Sequence, residues 1–323
     1  MQQYDALDQL FLPSSCVTIG VFDGLHLGHH KVIRSTVALA RSQKLPAVLL
    51  TFHPHPAVVL GKMDQPRYLL DSQDKFRLIQ AMGVDHLVTL QFTQAMANMD
   101  AAQFVDLLMK QLHMQNLITG EDFSLGRNRE GNQATLKQLG ERYHFELIQV
   151  PEVDNQGKRI SSTQIRDHLR KGEVYQANKL LGRAYHFSGN VVDGEHRGRN
   201  IGFPTANLIP DADRLVPRFG VYATLLEWQS HLYPAITNIG SRPTFNSDSQ
   251  QITIETYILD FSETLYGQSI YLHLVDFIRP EIKFPSSDLL KQQIQTDIQT
   301  AREVLSHAKD KTNLFTGSAD PLP

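Results

Sequence analysis

The sequence predicts an α/β domain built on a parallel sheet, followed by an antiparallel β-barrel that a final helix closes. Three observations predict it. The chain has 323 residues, which suits two domains better than one. Its first half alternates apolar runs with amphipathic stretches, the pattern of a parallel sheet covered by helices. Its second half sets short apolar runs between Gly, Pro, Asn and Asp, the spacing of a small barrel.

The elements follow in order. Residues 16–22 read as a strand, 29–43 as a helix and 47–52 as a second strand. Asp71 offers an N-cap, and Phe76, Leu78 and Ile79 give 71–82 an apolar stripe. Residues 84–92 are strand-like. Residues 100–112 are helical, with Phe104, Leu107 and Leu108 on one face, and 117–120 form another strand. Parallel sheets of this kind bind ligands beyond the carboxyl ends of their strands, so functional residues belong just after them. Two short helices, 163–171 and 173–181, precede a boundary at Gly182-Arg183. Beyond it, 187–192, 221–226, 232–237, 252–259 and 270–277 are short strands. Residues 286–309 form the closing helix, with Leu289, Ile294, Ile298 and Val304 among its apolar positions. The expected domains are 1–183 and 184–310, with a Gly/Ser/Pro-rich flexible tail over 311–323.

Composition bounds the function. With 41% hydrophobic and 20% charged residues, each half can bury a core. A formal net charge of −3 predicts no nucleic-acid partner, so phosphate binding must be local. The single cysteine, Cys16, excludes an internal disulfide and reads as a small buried side chain in its apolar run. No segment reaches the roughly 20 apolar residues that span a bilayer. The start, Met-Gln-Gln-Tyr-Asp-Ala-Leu-Asp, has neither a basic opening nor an apolar signal core. The expectation is a cytoplasmic protein without a membrane partner, monomeric or weakly homo-oligomeric.

Two constellations carry chemistry. Residues 19–30 read Ile-Gly-Val-Phe-Asp-Gly-Leu-His-Leu-Gly-His-His. A strand ends at Gly20, a tight turn holds Asp23, Gly24 and Gly28, and a helix begins near His29. Backbone N–H groups at a helix N-terminus attract anions. His26 and His29 stand at that mouth, able to hold a triphosphate and stabilise charge at its α-phosphorus. The alternatives are a zinc site or ordinary surface histidines. This His-x-Gly-His pattern after a strand resembles the nucleotidyltransferase superfamily, with its Rossmann-like parallel sheet. Three further segments accompany it: Thr51-Phe52-His53-Pro54-His55-Pro56, the 120–126 stretch Gly-Glu-Asp-Phe-Ser-Leu-Gly, and Ile160-Ser161-Ser162-Thr163-Gln164-Ile165-Arg166. Hydroxyls and an arginine at a helix start suit a nucleotide, although Ser162 or Thr163 also reads as a plain N-cap. Together the four segments resemble the FMN adenylyltransferase module of prokaryotic bifunctional riboflavin kinase/FAD synthetases.

The second constellation covers 189–207: Gly-Asn-Val-Val-Asp-Gly-Glu-His-Arg-Gly-Arg-Asn-Ile-Gly-Phe-Pro-Thr-Ala-Asn. Its glycines let backbone amides approach a phosphate, although a Gly-rich turn alone is also an ordinary β-turn. The chain has no GxxxxGK[ST] segment, so a kinase here is not a P-loop enzyme. Thr205 and Asn207 offer neutral oxygen ligands suited to Mg²⁺. Phe203-Pro204-Thr205-Ala206-Asn207 resembles the PTAN motif of riboflavin kinases. Glu255 lies in an alternating strand with Thr253 and Tyr257 on its face, where it is either a solvent-facing residue or a carboxylate with a task.

The resemblance covers about 18–305 and implies two activities: ATP-dependent phosphorylation of riboflavin to FMN, and adenylyl transfer from ATP to FMN giving FAD. It implies that His26 and His29 contact the ATP phosphates, with Gly20, Phe22, Asp23, Gly24, Gly28, Ser162, Thr163 and Arg166 completing that site. His53, Pro54, His55, Pro56, Asp122 and Phe123 would line the adenine and flavin region. In the second half it implies Glu255 as general base and Thr205 and Asn207 on a divalent cation. Gly194, Arg199, Gly202, Pro204 and Thr205 would serve the kinase nucleotide, and Asn238, Arg242 and Glu255 the flavin. This chain departs from the family's usual acidic residue at His53 and its frequent aromatic at Leu125. Two alternatives stay open: that only one module is active, or that the chain is a non-catalytic flavin-binding regulator.

Overall fold

The computed structural model describes residues 1–309 except 156–157, 195–197, 199–200 and 245–246. The side chains of 154, 155, 158, 242–244, 247–251 and 308–309 also lie outside the described part. Arg199, the side chain of Arg242 and the tail 311–323 therefore fall outside the described residues. The chain divides into two compact units, Met1–Ser161 and Ser162–Pro323.

The first unit holds a six-stranded parallel sheet. Its strands are β1 (Gln2–Tyr4), β2 (Ser15–Ile19), β3 (Ala47–His53), β4 (His86–Gln91), β5 (Met114–Gly120) and β6 (Glu146–Val150), in the order β1-β4-β3-β2-β5-β6. Helices α1 (Leu27–Gln43), α2 (Pro56–Val59), α3 (Ser72–Ala81), α4 (Gln94–Ala97), α5 (Ala101–Leu112) and α6 (Gln133–Tyr143) connect them. Both faces of the central strands are apolar. Val17, Ile19, Val48, Leu50 and Leu117 pack against Phe104, Val105 and Leu108 of α5 and Leu136 and Leu139 of α6. From the opposite face, Leu49 and Leu87 meet Ile33 of α1 and Ile79 of α3, while Cys16 and Ile118 meet Ala40. Cys16 is fully buried, as its apolar run predicts.

The caps follow the expected chemistry. Asp71 Oδ1 accepts from Asp74 N at 2.7 Å, and Asp100 forms a capping box with Gln103 at the start of α5. The chain runs outward from β2 through β3 to β4, then returns to the other side of β2 for β5. That reversal creates a crevice beyond the carboxyl ends of β2 and β5, where doubly wound sheets take their ligands. The strand expected over 16–22 is β2, and it ends at Ile19 rather than Phe22, which turns to a left-handed φ of 48°. A short antiparallel hairpin, β7 (Asp154–Asn155) and β8 (Lys158–Arg159), closes the unit.

The second unit opens with α7 (Ser162–Lys171) and α8 (Val174–Leu181). Asn178 of α8 donates to Leu274 O and accepts from Tyr185 N, so this pair of helices packs with the barrel. The sequence-based boundary at 183 follows them. The barrel strands are β9 (Tyr185–Asn190), β10 (Ala206–Leu208), β11 (Gly220–Trp228), β12 (His231–Thr244), β13 (Ser247–Ile258) and β14 (Ser269–Arg279). They curl in the order β10-β13-β12-β11-β14-β9, every pair antiparallel. The concave face carries Tyr222, Ile239, Ile254 and Leu272, plus three buried hydroxyls that chain Thr224 to Thr237 (2.9 Å) and Thr237 to Thr256 (3.0 Å). The closing helix α9 (Ser287–Lys309) lays Ile294, Ile298, Ala301 and Leu305 on the convex face, against Ala223, Leu225, Ile236 and Val275. Arg279 of β14 clamps Asp297 of α9 with bonds of 2.7–3.0 Å, and Asp297 is almost fully buried.

Candidate active sites

Residues 20–26 join β2 to α1, and their geometry gathers the predicted nucleotide residues. Gly24 has φ 81°, and a Cβ there would stand 2.6 Å from Leu69 Cδ1, so both conformation and packing require glycine. Asp23 is buried and its Oδ1 accepts from Leu69 N at 2.9 Å. The Phe22 ring covers Gly20. His26 caps α1: its Nδ1 accepts from His29 N at 3.3 Å. The two imidazoles stack at 3.6 Å between centroids, and Phe22 meets His29 edge-on at 5.2 Å. A Cβ at Gly28 would press on the His26 ring at 3.1 Å. Gly20, Phe22, Asp23, Gly24, His26, Gly28 and His29 thus form one turn at the switch point, with the first backbone N–H groups of α1 at its mouth.

Burial and neighbouring charges set the state of this turn. Desolvation, then the nearby His26, Lys75, His30 and Arg159, hold His29 well below the usual imidazole range. His29 is therefore neutral at pH 7, and its buried Nδ1 has no hydrogen-bond partner among the described residues. Lys75 of α3 was not foreseen from the sequence. Its ammonium donates to Val21 O and Thr51 Oγ1, both at 2.7 Å, beneath the turn. On an amphipathic helix it reads as a solvated lysine, and nothing in its spacing points inward.

His53, Pro54, His55 and Pro56 lead out of β3, and His53 and His55 meet Tyr68, a second residue the sequence did not flag. Tyr68 Oη lies 3.4 Å from His53 Nδ1 and accepts from His55 N at 2.9 Å. The His53 and Tyr68 rings are 5.8 Å apart at 30°. The loop after β5 presents Asp122 and Phe123. Asp122 pairs with Arg159 of β8, whose Nε also reaches Glu152 at 3.1 Å, and Arg129 braces the Asp122 carbonyl and Ser124. Leu125 faces the core with Phe104 and Leu136 rather than this surface. Ser162, Thr163 and Arg166 open α7 in the second unit, where Arg166 is buried beside Ile165 and Leu169.

In the barrel, strand register assembles the second site. Asn207 of β10 pairs with Glu255 of β13, and Glu255 pairs with Asn238 of β12. Directly opposed residues share a face, so Asn207, Glu255 and Asn238 form one row across three strands. Ile254, Thr256 and Ile258 are buried on the concave side, which sets half-buried Glu255 on the convex side with Thr253 and Tyr257. Phe203 of the 189–207 segment meets Tyr257 edge-on at 5.3 Å. The turn folds back on this row: Val192 N donates to Asn207 O at 2.9 Å, and Gly194 lies so close that a Cβ would overlap the Asn207 carboxamide. Asn207 Nδ2 donates to Thr205 O at 3.3 Å. Gly202 has φ 89°, and Pro204 is exposed beside it. Asn238 Nδ2 donates to Glu281 Oε1 at 3.1 Å, a carboxylate that no motif singles out.

Comparison with known proteins gives each half of the chain a family. The FAD synthetase family model matches residues 9–164, and the riboflavin kinase model matches 181–305. The bifunctional riboflavin kinase/FMN adenylyltransferase of Listeria monocytogenes is 36% identical over 295 residues, covering 91% of this chain and 93% of that protein. The Escherichia coli K12 protein of the same description is 37% identical over 297 residues, covering 91% and 94%. The chain belongs to the bifunctional riboflavin kinase/FMN adenylyltransferase family. A crystal structure described as a macrolide-efflux protein of Streptococcus pneumoniae shares the fold along its length, with a TM-score of 0.84, 32% identity, and 93% of this chain and 98% of that one covered. Among the described residues of this family member, no helix is long and apolar enough to cross a membrane.

Proposed function

We propose that the chain phosphorylates riboflavin to FMN in residues 184–310 and adenylylates FMN to FAD in residues 1–183, with ATP as donor in both. The carrying observation is that both family modules occur in one chain, in order, over 9–164 and 181–305.

In the kinase reaction, the Glu255 carboxylate takes the proton of the terminal ribityl hydroxyl as that oxygen attacks the γ-phosphorus and ADP leaves. Asn238, Arg242 and Glu255 hold the flavin. Gly194, Arg199, Gly202, Pro204 and Thr205 hold the nucleotide. The Thr205 hydroxyl and the Asn207 carboxamide oxygen fit a hard cation: both are neutral oxygen donors, Asn207 is cradled against Gly194, and Glu255 stands beside it. Mg²⁺ bound there would neutralise phosphate charge.

In the adenylyl transfer, a phosphate oxygen of FMN attacks the α-phosphorus and pyrophosphate leaves. His26, His29 and the first N–H groups of α1 stabilise the charge that develops, with Ser162, Thr163 and Arg166 assigned to the same nucleotide. His53, Pro54, His55, Pro56, Asp122 and Phe123 serve the flavin and adenine rings. The setting we assign is the cytoplasm, as a monomer or weak homo-oligomer.

The test incubates the protein with riboflavin, ATP and Mg²⁺ and follows products by chromatography. FMN appears first and FAD second. No FAD from supplied FMN would overturn the adenylyl-transfer half, and no FMN from riboflavin would overturn the kinase half.

A further inference from the structure

Lys75 stands apart from the motifs, yet it reaches the place where they meet. It lies on α3, whose neighbours at Phe76 and Ile79 face the core. The Lys75 side chain runs inward until Nζ lies 2.7 Å from both Val21 O and Thr51 Oγ1. The Thr51 hydroxyl in turn donates to the same Val21 carbonyl at 2.9 Å. Val21 is the residue between Gly20 and Phe22. Thr51 precedes Phe52 and His53 in β3. One ammonium therefore ties the nucleotide turn, the carboxyl-terminal part of β3 and α3 into a single knot.

An ammonium held partly away from water is costly unless its charge has a use. Two hydrogen bonds occupy two of its three N–H donors. The titratable groups facing it are the Asp23 carboxylate from the turn, which favours its charge, and the His29 imidazole from α1, which Lys75 helps to keep neutral. His29 itself is held neutral, and Arg159 of β8 is a second fixed cation near it. The turn that must receive several negative charges thus has one fixed positive charge beneath it.

From this arrangement, resting on the adenylyl-transfer reading, we infer that Lys75 is a positioning residue of that site. It fixes the Val21 carbonyl, and with it the rings of Phe22, His26 and His29, and it supplies positive potential under the phosphates. Its charge state is then part of the catalytic state. Desolvation brings its pKa down to about 8, so the charged form declines within an accessible range.

The experiment measures FAD formation from FMN and Mg-ATP between pH 7 and 9.5 for the full chain and for Lys75→Met and Lys75→Arg, with a melting transition recorded for each. The wild-type kcat falls as pH rises through about 8. Lys75→Arg keeps its charge throughout, so its rate stays level over that range. Lys75→Met loses about tenfold or more in kcat, shows no such decline, and leaves the KM for FMN within about threefold. A wild-type rate that holds level to pH 9.5, or a folded Lys75→Met variant within about threefold of wild type, overturns the inference. If Lys75→Met does not fold, the wild-type and Lys75→Arg profiles decide it. A wild-type chain that makes no FAD at any pH overturns the underlying reading instead.

Discussion

The imidazoles of His26 and His29 lie face to face, 3.6 Å between centroids and 20° between planes, while the His29 backbone N–H caps onto the His26 ring. One turn of helix thus sets both rings, and removing either disturbs the other. His29→Ala is expected to reduce FAD formation from FMN by about 10²-fold or more, the usual cost of losing one preorganised donor at a developing charge. FMN formation from riboflavin should stay within about twofold. Chromatographic rates for the two steps, measured on the same preparation, check both halves of the expectation.

Glu255→Gln keeps the shape of the strand and removes the base. The kinase rate is expected to fall by at least about 10²-fold, with FAD formation from supplied FMN unchanged. A kinase rate within about threefold of wild type would show that Glu255 is not the base.

Gly194→Ala drives a Cβ into the Asn207 carboxamide. Overpacking of this kind typically costs about 1–3 kcal/mol. Asn207 is the residue that must yield, so the kinase kcat/KM for Mg-ATP should drop about tenfold or more. Titrating the rate against Mg²⁺ at fixed ATP should show the half-saturating concentration rising.

Asp297→Ala leaves the Arg279 guanidinium, itself largely enclosed, without its bidentate partner. Breaking such a pair costs about 3–5 kcal/mol. Urea unfolding followed through the barrel should show that loss, with α9 detaching first in hydrogen exchange.

Lys75 also gives the first unit a pH signature in stability. Its ordinary value near 10.5 falls to about 8 on folding. Between these values the unfolded chain binds more protons, so stability rises with pH and the full contribution is present only above about 10.5. Measured against Lys75→Met, the wild type should gain up to about 3 kcal/mol between pH 8 and 10.5. A difference that stays constant with pH would contradict the assignment.

Much of this was legible in the chain. The histidine turn, the Phe203–Asn207 segment and Glu255 were found because each joins a local residue pattern to a strand end or a face. The same logic located the main strands and helices, although α6 and β6 passed unnoticed despite Leu136 and Leu139 at helical spacing. What escaped was long-range. Lys75, Tyr68 and Glu281 reach their sites only because other strands bring Val21, His53 and Asn238 to them. No window of sequence holds both partners of such a contact, so no periodicity reveals it.

The row Asn207–Glu255–Asn238 rests on pairing alone. Side chains alternate with a period of two, so an added or deleted residue in β13 would send Glu255 inward to the hydroxyl chain of Thr237 and bring Thr256 out. Substitutions along this strand act locally, but a change of length acts like a frameshift on the site. Drift in this family member should therefore accumulate as exchanges within β10, β12 and β13, and as insertions only in the turns between them.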